Sequence, residues 1–148
     1  MKRKADRSAG FTTIELVVVI ILLGILAAFA VPHFVDLNDF RTRTAYDEVA
    51  GAVRYAQKLA VASGCNVQFA VSGNSYFLRQ PSPDCTSASY ADISGHPVSG
   101  NIVAVGLSSS PTSFVFDPMG RCSSAATITV GGTETITVIA ETGYVDAP

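Results

Sequence analysis

An apolar run over residues 16–35 places the strongest constraint on how this chain folds. It contains 20 residues and no formal charge if His33 is neutral. A continuous helix of that length measures about 30 Å, which is enough to span a bilayer. Glu15 lies at the N-terminal edge of the run, and an unpaired ionised carboxylate near the centre of a bilayer costs about 2.5–3.5 kcal/mol or more. The sequence therefore predicts a membrane-spanning helix and marks Glu15 as a functional residue that needs a partner.

The first ten residues are basic, with four lysines and arginines against one aspartate. Positive charge on this side of an apolar segment predicts a cytoplasmic N-terminus and export of the rest of the chain. A secretory signal is cleaved after its apolar segment, whereas the small residue Gly10 precedes the segment in this chain. We interpret residues 1–10 as a leader, and cleavage after Gly10 would leave the apolar segment on the mature protein.

The rest of the chain is acidic and poor in charge. Charged residues make up only 15 % of the sequence, well below the quarter that is typical of soluble domains. From Cys65 to the C-terminus, two basic residues face six acidic ones. A surface with this balance does not attract a polyphosphate, so nucleic-acid binding is disfavoured.

Motifs of catalysis and cofactor binding are missing from the sequence. There is no G-x-S-x-G elbow, phosphate loop, dinucleotide fingerprint or HExxH motif. His33 and His96 are not adjacent to the cysteines in sequence, and no two cysteines have the spacing of a zinc or redox site. We therefore expect no enzymatic activity, no cofactor and no metal site.

Three cysteines, Cys65, Cys85 and Cys122, predict one disulfide and one remaining thiol if this part of the chain lies outside the cytoplasm. A Cys65–Cys85 bond is favoured because it would tie the first strand to the loop after a hairpin. The alternative bond, Cys85–Cys122, stays open from sequence alone.

Helical periodicity continues beyond the apolar run. Two residues complicate the run itself, because Gly24 lowers helix propensity and Pro32 removes a backbone donor. From Leu37 to Ala60, apolar residues that include Phe40 recur at helical spacing and predict one apolar stripe. The pattern predicts one helix from about residue 12 to 63, with a membrane-spanning half at 11–35 and an amphipathic half at 36–64.

Strand patterns fill residues 65–148. They predict an α+β fold in which the amphipathic half of the long N-terminal helix packs on a small antiparallel sheet, or on two small sheets. The expected strands are 67–71, 76–79, 101–107, 113–116, 126–130 and 135–140, with turns at 72–75 and 131–133, a long loop at 80–100, and residues 144–145 extending the second sheet.

The segment from Gly10 to residue 26 resembles the type IV pilin family, which includes the pseudopilins of type II secretion. The resemblance covers roughly residues 8–45. Thr13 stands where the family usually has an aliphatic residue, which is a mild departure. The likeness implies a chain that is inserted into a fibre by its N-terminal helix.

The resemblance also implies roles for individual residues. Prepilin peptidase would cut after Gly10, and the new amine of Phe11 would be N-methylated. Glu15 matches the assembly glutamate of the family, while Gly24 and Pro32 match the ends of the segment that melts within the fibre. Other pilins, the inner-membrane assembly platform and, before assembly, the lipid of the inner membrane are the implied partners.

Later segments resemble particular subgroups. Residues 53–64, 67–71 and 114–121 look like the H-type pseudopilin and fimbrial-T group, and with residues 32–39 and Cys65 they also look like minor pilins of the mannose-sensitive haemagglutinin type. The leading hypothesis is a minor pilin of a type IV pilus, with a periplasmic domain at 65–148. A minor pseudopilin of type II secretion is the alternative, and an adhesin or DNA-binding module displayed on the pilus is the third hypothesis.

Overall fold

The computed structural model describes residues 11–30, 37–93 and 98–148. It divides into two units, Met1–Leu37 and Asn38–Pro148. The described part of the first unit contains helix α1, Thr13–Ala30. Helix α2, Leu37–Ser63, begins at the boundary between the units and continues through the start of the second.

Helix α1 begins at a threonine cap. The Thr12 hydroxyl accepts a hydrogen bond from the backbone N–H of Glu15 at 3.3 Å, and the N–H of Leu16 donates to the Thr12 carbonyl at 3.2 Å. A side-chain oxygen that accepts from the third helical N–H is the usual N-cap arrangement. The helix then runs for 18 residues, or about 27 Å.

Among the described residues, no helix combines the length and the apolarity needed to cross a membrane. The predicted span at 16–35 therefore lacks support, and its last five residues lie outside the described part of the chain. The predicted continuity of one helix from residue 12 to 63 also lies partly outside it, because residues 31–36 separate α1 from α2.

Helix α2 is amphipathic, and its buried face begins later than the sequence pattern predicts. The buried residues start at Ala45 and continue to Ala60. Phe40, which was expected in the apolar stripe, is 70 % exposed. The helix ends at Gly64, which has a φ of 66° and donates its N–H to the Ala60 carbonyl at 3.0 Å. Glycine adopts this left-handed conformation without steric cost, so it terminates the helix.

Nine strands follow α2 in the described part of the second unit. They are β1 Val67–Ser72, β2 Ser75–Pro81, β3 Tyr90–Asp92, β4 Ser99–Asn101, β5 Leu107–Ser110, β6 Ser113–Phe116, β7 Ala126–Val130, β8 Glu134–Val138 and β9 Val145–Asp146.

The strands form two antiparallel sheets. In the first sheet the order is β3-β2-β1-β6, with β4 also pairing with β2. The β1–β2 hairpin closes with Ser72 opposite Ser75, at the turn that the sequence predicts. In the second sheet the order is β5-β7-β8-β9. Strands β7 and β8 pair along their whole length, with Ala126 opposite Val138 at one end and Val130 opposite Glu134 at the other.

Two expectations for residues 80–107 were wrong. The predicted loop at 80–100 contains β3 and β4, two short edge strands whose polar and glycine residues gave no strand signal. The predicted strand at 101–107 is strand only at its two ends, in β4 and β5. Between them the chain forms a turn, in which the N–H of Gly106 donates to the Ile102 carbonyl at 3.3 Å. Gly106 has a φ of 83°, a conformation that ends an extended strand.

The core of the second unit contains α2 and both sheets. Val49 and Val53 from α2 are fully buried together with residues from each sheet, such as Phe69 and Ile136. Phe69, Tyr76, Phe114 and Phe116 make an aromatic cluster with ring centroids 5.3–5.7 Å apart. The predicted α+β fold, with the amphipathic helix packed on two small antiparallel sheets, is confirmed.

A disulfide joins Cys65, which follows α2, to Cys85 in the loop after β2. Their Cα atoms are 5.0 Å apart. This is the pairing that the sequence favoured, and the alternative Cys85–Cys122 bond does not form. Cys122 is a free, buried cysteine that pairs with Phe116 on the edge of the first sheet and donates its N–H to the Ala140 carbonyl at 2.9 Å.

Candidate assembly site

The surface of α1 is the first candidate for a functional site. Every described side chain from Phe11 to Leu26 is exposed, and the large apolar ones include Phe11 at 76 % and Leu26 at 65 %. The apolar side chains lie on all sides of the helix rather than on one face. A helix that is apolar all round needs an apolar environment on every side. This surface can therefore bury a large area against apolar partners.

Glu15 is the one carboxylate on this surface. It lies in the first turn of α1, where the positive end of the helix dipole favours a negative charge. In the part of the chain that the structure describes, Glu15 has no ion-pair partner. An exposed carboxylate within an apolar surface can select the partner that supplies a cation.

The other predicted site residues lie in different parts of the chain. Phe11 lies just before α1, and Gly24 lies within α1, where an added Cβ would meet no atom within 4 Å. Gly10 and Pro32 lie outside the described residues. The roles assigned to these residues in processing, assembly and helix melting stay predictions.

A cleft of 460 Å³ is lined by residues of β6, of the turn after it and of the segment that follows β8. Cys122 lies in its wall with Asp117, Arg121 and Glu141. Burial raises the pKa of the Cys122 thiol, so the thiol stays protonated at neutral pH and is a poor nucleophile. This cleft therefore holds no activated thiol.

The Asp117 turn forms part of the same cleft. Asp117 Oδ1 accepts hydrogen bonds from the N–H groups of Met119 and Arg121, each at 2.9 Å, and its Oδ2 accepts from the Arg121 guanidinium at 2.8 Å. Desolvation alone would raise the pKa of Asp117, but the hydrogen bonds from Arg121 outweigh it and lower the pKa. Asp117 therefore has a structural role, which is to hold this turn together.

Gln57 joins α2 to two surface turns. Its side-chain amide donates to the carbonyls of Gly120 at 2.9 Å and Thr142 at 3.2 Å. This role of Gln57 could not be predicted from the sequence, because a glutamine in an amphipathic helix gives no signal of a long-range contact. Within the described ranges, no group of three histidine, cysteine or acidic residues is arranged to hold a metal ion.

A second recess, which we call the Phe40–Val103 groove, lies between the first turns of α2 and the turn after β4. Phe40, Arg41 and Glu48 line it from the helix, and Ile102 and Val103 line it from the turn. Its volume is 240 Å³. The groove could not be predicted from the sequence, because the residue pattern predicts a strand rather than a turn at 101–107.

The family model described as type II transport protein GspH matches residues 45–143 of the chain. A stretch of 54 residues is 52 % identical to the type IV narrow pilus major component PilA5 of Thermus thermophilus, covering 36 % of this chain and 47 % of that protein. A stretch of 59 residues is 42 % identical to the type IV major fimbrial protein FimA of Dichelobacter nodosus, covering 40 % of this chain and 33 % of that protein.

The chain thus spans between a third and a half of the length of these curated relatives. No solved structure matches it. Pilins and pseudopilins are structural subunits, and membership implies a place in a pilus or pseudopilus. The chain belongs to the GspH family of type II transport proteins, within the larger group of type IV pilins and pseudopilins.

Proposed function

We propose that this chain is a minor subunit of a type IV pilus, which enters the fibre through its N-terminal helix and assists pilus assembly. The observation that carries the proposal is the surface of α1, exposed and apolar on all sides with Glu15 in its first turn. Two fibre proteins share stretches of 42–52 % identity with the chain, which supports the pilus over other destinations.

In this proposal prepilin peptidase cleaves after Gly10 and frees the amine of Phe11, which is then N-methylated. The new amine is a cation about one helical turn from Glu15. Removing one partner from a buried ion pair costs about 3–5 kcal/mol. A Glu15 carboxylate in a fibre core is therefore stable when the Phe11 ammonium of an adjacent subunit neutralises it, and this pairing favours one register of insertion.

Before assembly, the apolar run at 16–35 holds the subunit in the inner membrane with its N-terminus in the cytoplasm. The amphipathic segment at 36–64 and the β-rich domain at 65–148 lie in the periplasm. The assembly platform then moves the subunit from lipid into the fibre. Gly24 and Pro32 bound the segment that loosens on this transfer, since neither residue favours a regular helix interior.

A minor pseudopilin of a type II secretion system is the second candidate. The match of residues 45–143 to the type II transport protein model favours it. The two candidates use the same processing, the same helix and the same Glu15 carboxylate, and they differ in the neighbouring subunits.

Identification of those neighbours tests the proposal. The full chain, carrying a C-terminal epitope tag, is purified after brief in vivo cross-linking from sheared surface fibres and separately from membranes. We expect the tag in sheared fibres at low abundance, cross-linked to a major pilin. Recovery only with secretion pseudopilins would favour the second candidate, and absence from both kinds of fibre would refute the assembly function.

A further inference from the structure

The Phe40–Val103 groove is an apolar recess with both walls open to solvent. Phe40 is 70 % exposed on the helix side and Val103 is 69 % exposed on the turn side, while Ile102 is buried between them. All its lining residues belong to the second unit. Large apolar side chains that face solvent around a recess, with polar residues at its edge, are the usual anatomy of a protein interface.

The turn wall of the groove is held in place from several sides. The Ile102 N–H donates to the Asn74 carbonyl at 2.7 Å, and the Leu107 N–H donates to the side-chain oxygen of Asn74 at 3.3 Å. The Gly131 N–H donates to the Gly106 carbonyl at 3.0 Å. The exposure of Val103 thus belongs to an ordered turn, and a partner that binds there pays little ordering cost.

The groove is lined by one acid and one base, and the base is the more exposed of the two. Glu48 is half-buried, and its Oε1 accepts a hydrogen bond from the Tyr76 hydroxyl at 2.9 Å. Arg41 is exposed and has no ion-pair partner among the residues that the structure describes. A guanidinium at the edge of an apolar recess selects a partner that is apolar and carries a single acid.

We propose that the Phe40–Val103 groove receives the apolar N-terminal helix of a neighbouring pilin-type subunit, with Arg41 facing the carboxylate that occupies the position of Glu15 on that helix. Helix α1 of this chain shows the required chemistry, since it is apolar on all sides and has one acid in its first turn. Such a helix needs apolar partners around its whole circumference. The inference rests on the fibre function proposed above and adds the surface that receives the helix.

The pairing with Arg41 is compatible with the pairing proposed for the Phe11 amine. A carboxylate has two oxygens and about four lone-pair sites. It therefore accepts hydrogen bonds from an ammonium and a guanidinium at once. The groove supplies the second cation together with apolar contacts from Phe40 and Val103.

A photo-crosslinking amino acid at position 103 tests the proposal in the full chain within assembled fibres. The matched control carries the same amino acid at Thr137, an exposed position on β8 in the second sheet. Illumination and peptide mapping are expected to join position 103 to the apolar N-terminal helix of another subunit, and to give no such product from position 137. Products only with lipid, only with α1 of the same molecule, or only with another part of a subunit would overturn it.

Charge reversal gives a second, independent readout. Arg41→Glu places a second acid in the groove, whereas Arg43→Glu makes the same change about 200° around the helix. We expect Arg41→Glu to lower incorporation into fibres about tenfold relative to Arg43→Glu, which corresponds to ~1.4 kcal/mol. Equal incorporation of the two variants would contradict the inference.

The two proposals can fail separately. If the unmodified chain enters fibres but position 103 is joined to something other than an N-terminal helix, the groove assignment is wrong and the fibre function stands. If the unmodified chain is absent from fibres, both are wrong.

Discussion

Removal of the Cys65–Cys85 disulfide is expected to lower the free energy of unfolding by about 3 kcal/mol. The bond closes a loop with a sequence separation of 20, and the chain-entropy model assigns about 3 kcal/mol to a loop of this length. The bond ties the C-terminal end of α2 to the segment after β2, so its loss frees both in the unfolded chain. The double variant Cys65→Ser, Cys85→Ser is the appropriate change, because it leaves Cys122 as the last cysteine and prevents mispairing.

Urea unfolding of a fragment from Asn38 to Pro148 measures this effect, since that unit contains the whole described core. With an m value of ~1–3 kcal/mol/M, the midpoint should fall by about 1–3 M. A reductant should lower the midpoint of the native fragment to that of the double variant and leave the double variant unchanged. A loss below about 1 kcal/mol would refute the loop-closure reasoning.

Three further changes test the packing, a turn and an ionic contact. Val53→Ala on the buried face of α2 should lower the free energy of unfolding by about 2–3 kcal/mol. Val61→Ala, at a position 54 % exposed, should change it by less than ~0.5 kcal/mol. Similar losses in the two variants would contradict the observed burial. Gly143→Ala should lower the free energy of unfolding by at least ~1 kcal/mol more than Gly132→Ala. Both residues have positive φ, but only at Gly143 would a Cβ overlap the carbonyl of a neighbouring turn. Equal melting temperatures for the two variants would contradict this prediction. The pKa of Asp117 is lowered in the folded state, so the ionised carboxylate stabilises the fold at pH values above the unfolded pKa of about 3.9, and this contribution is lost as the pH falls through the lower folded pKa. The free energy of unfolding, measured between pH 5 and 2, should therefore fall less steeply with pH in Asp117→Asn than in the native chain. Identical pH profiles for the two proteins would contradict this prediction.

The sequence predicted the elements in which side chains alternate or recur with a clear period. Strands β7 and β8 alternate threonine with isoleucine or valine, and the structure buries the apolar set and leaves the threonines exposed or half-buried. Helix α2 and its end at Gly64 were predicted for the same reason, since the helical period and a glycine stop act locally.

The parts that were missed depend on contacts between distant segments. Strands β3 and β4 have only three residues each and form because they pair with β2. Ile102 and Val103 have strand propensity, but the left-handed conformation of Gly106 and the hydrogen bonds to Asn74 fold them into a turn.

The candidate site divides in the same way. Glu15 and the apolar surface of α1 could be predicted, because one carboxylate beside an apolar run is visible in the sequence. The Phe40–Val103 groove could not, since its two walls are about 60 residues apart in the chain and meet only when the second unit folds. The exposure of Phe40 likewise could not be predicted from the period of the helix, because the buried face of α2 begins only at Ala45.

Incorporation of the Glu15→Gln variant into fibres tests the central claim most directly. Glutamine keeps the size of the side chain and removes its charge, and Thr13→Val, two residues away on α1, is the matched control. The account predicts that Glu15→Gln reaches the membrane at the normal level but is recovered from sheared fibres at about a tenth of the native amount or less, an effect of ~1.4 kcal/mol or more, while Thr13→Val is incorporated normally. Incorporation of Glu15→Gln equal to that of Thr13→Val would contradict the account.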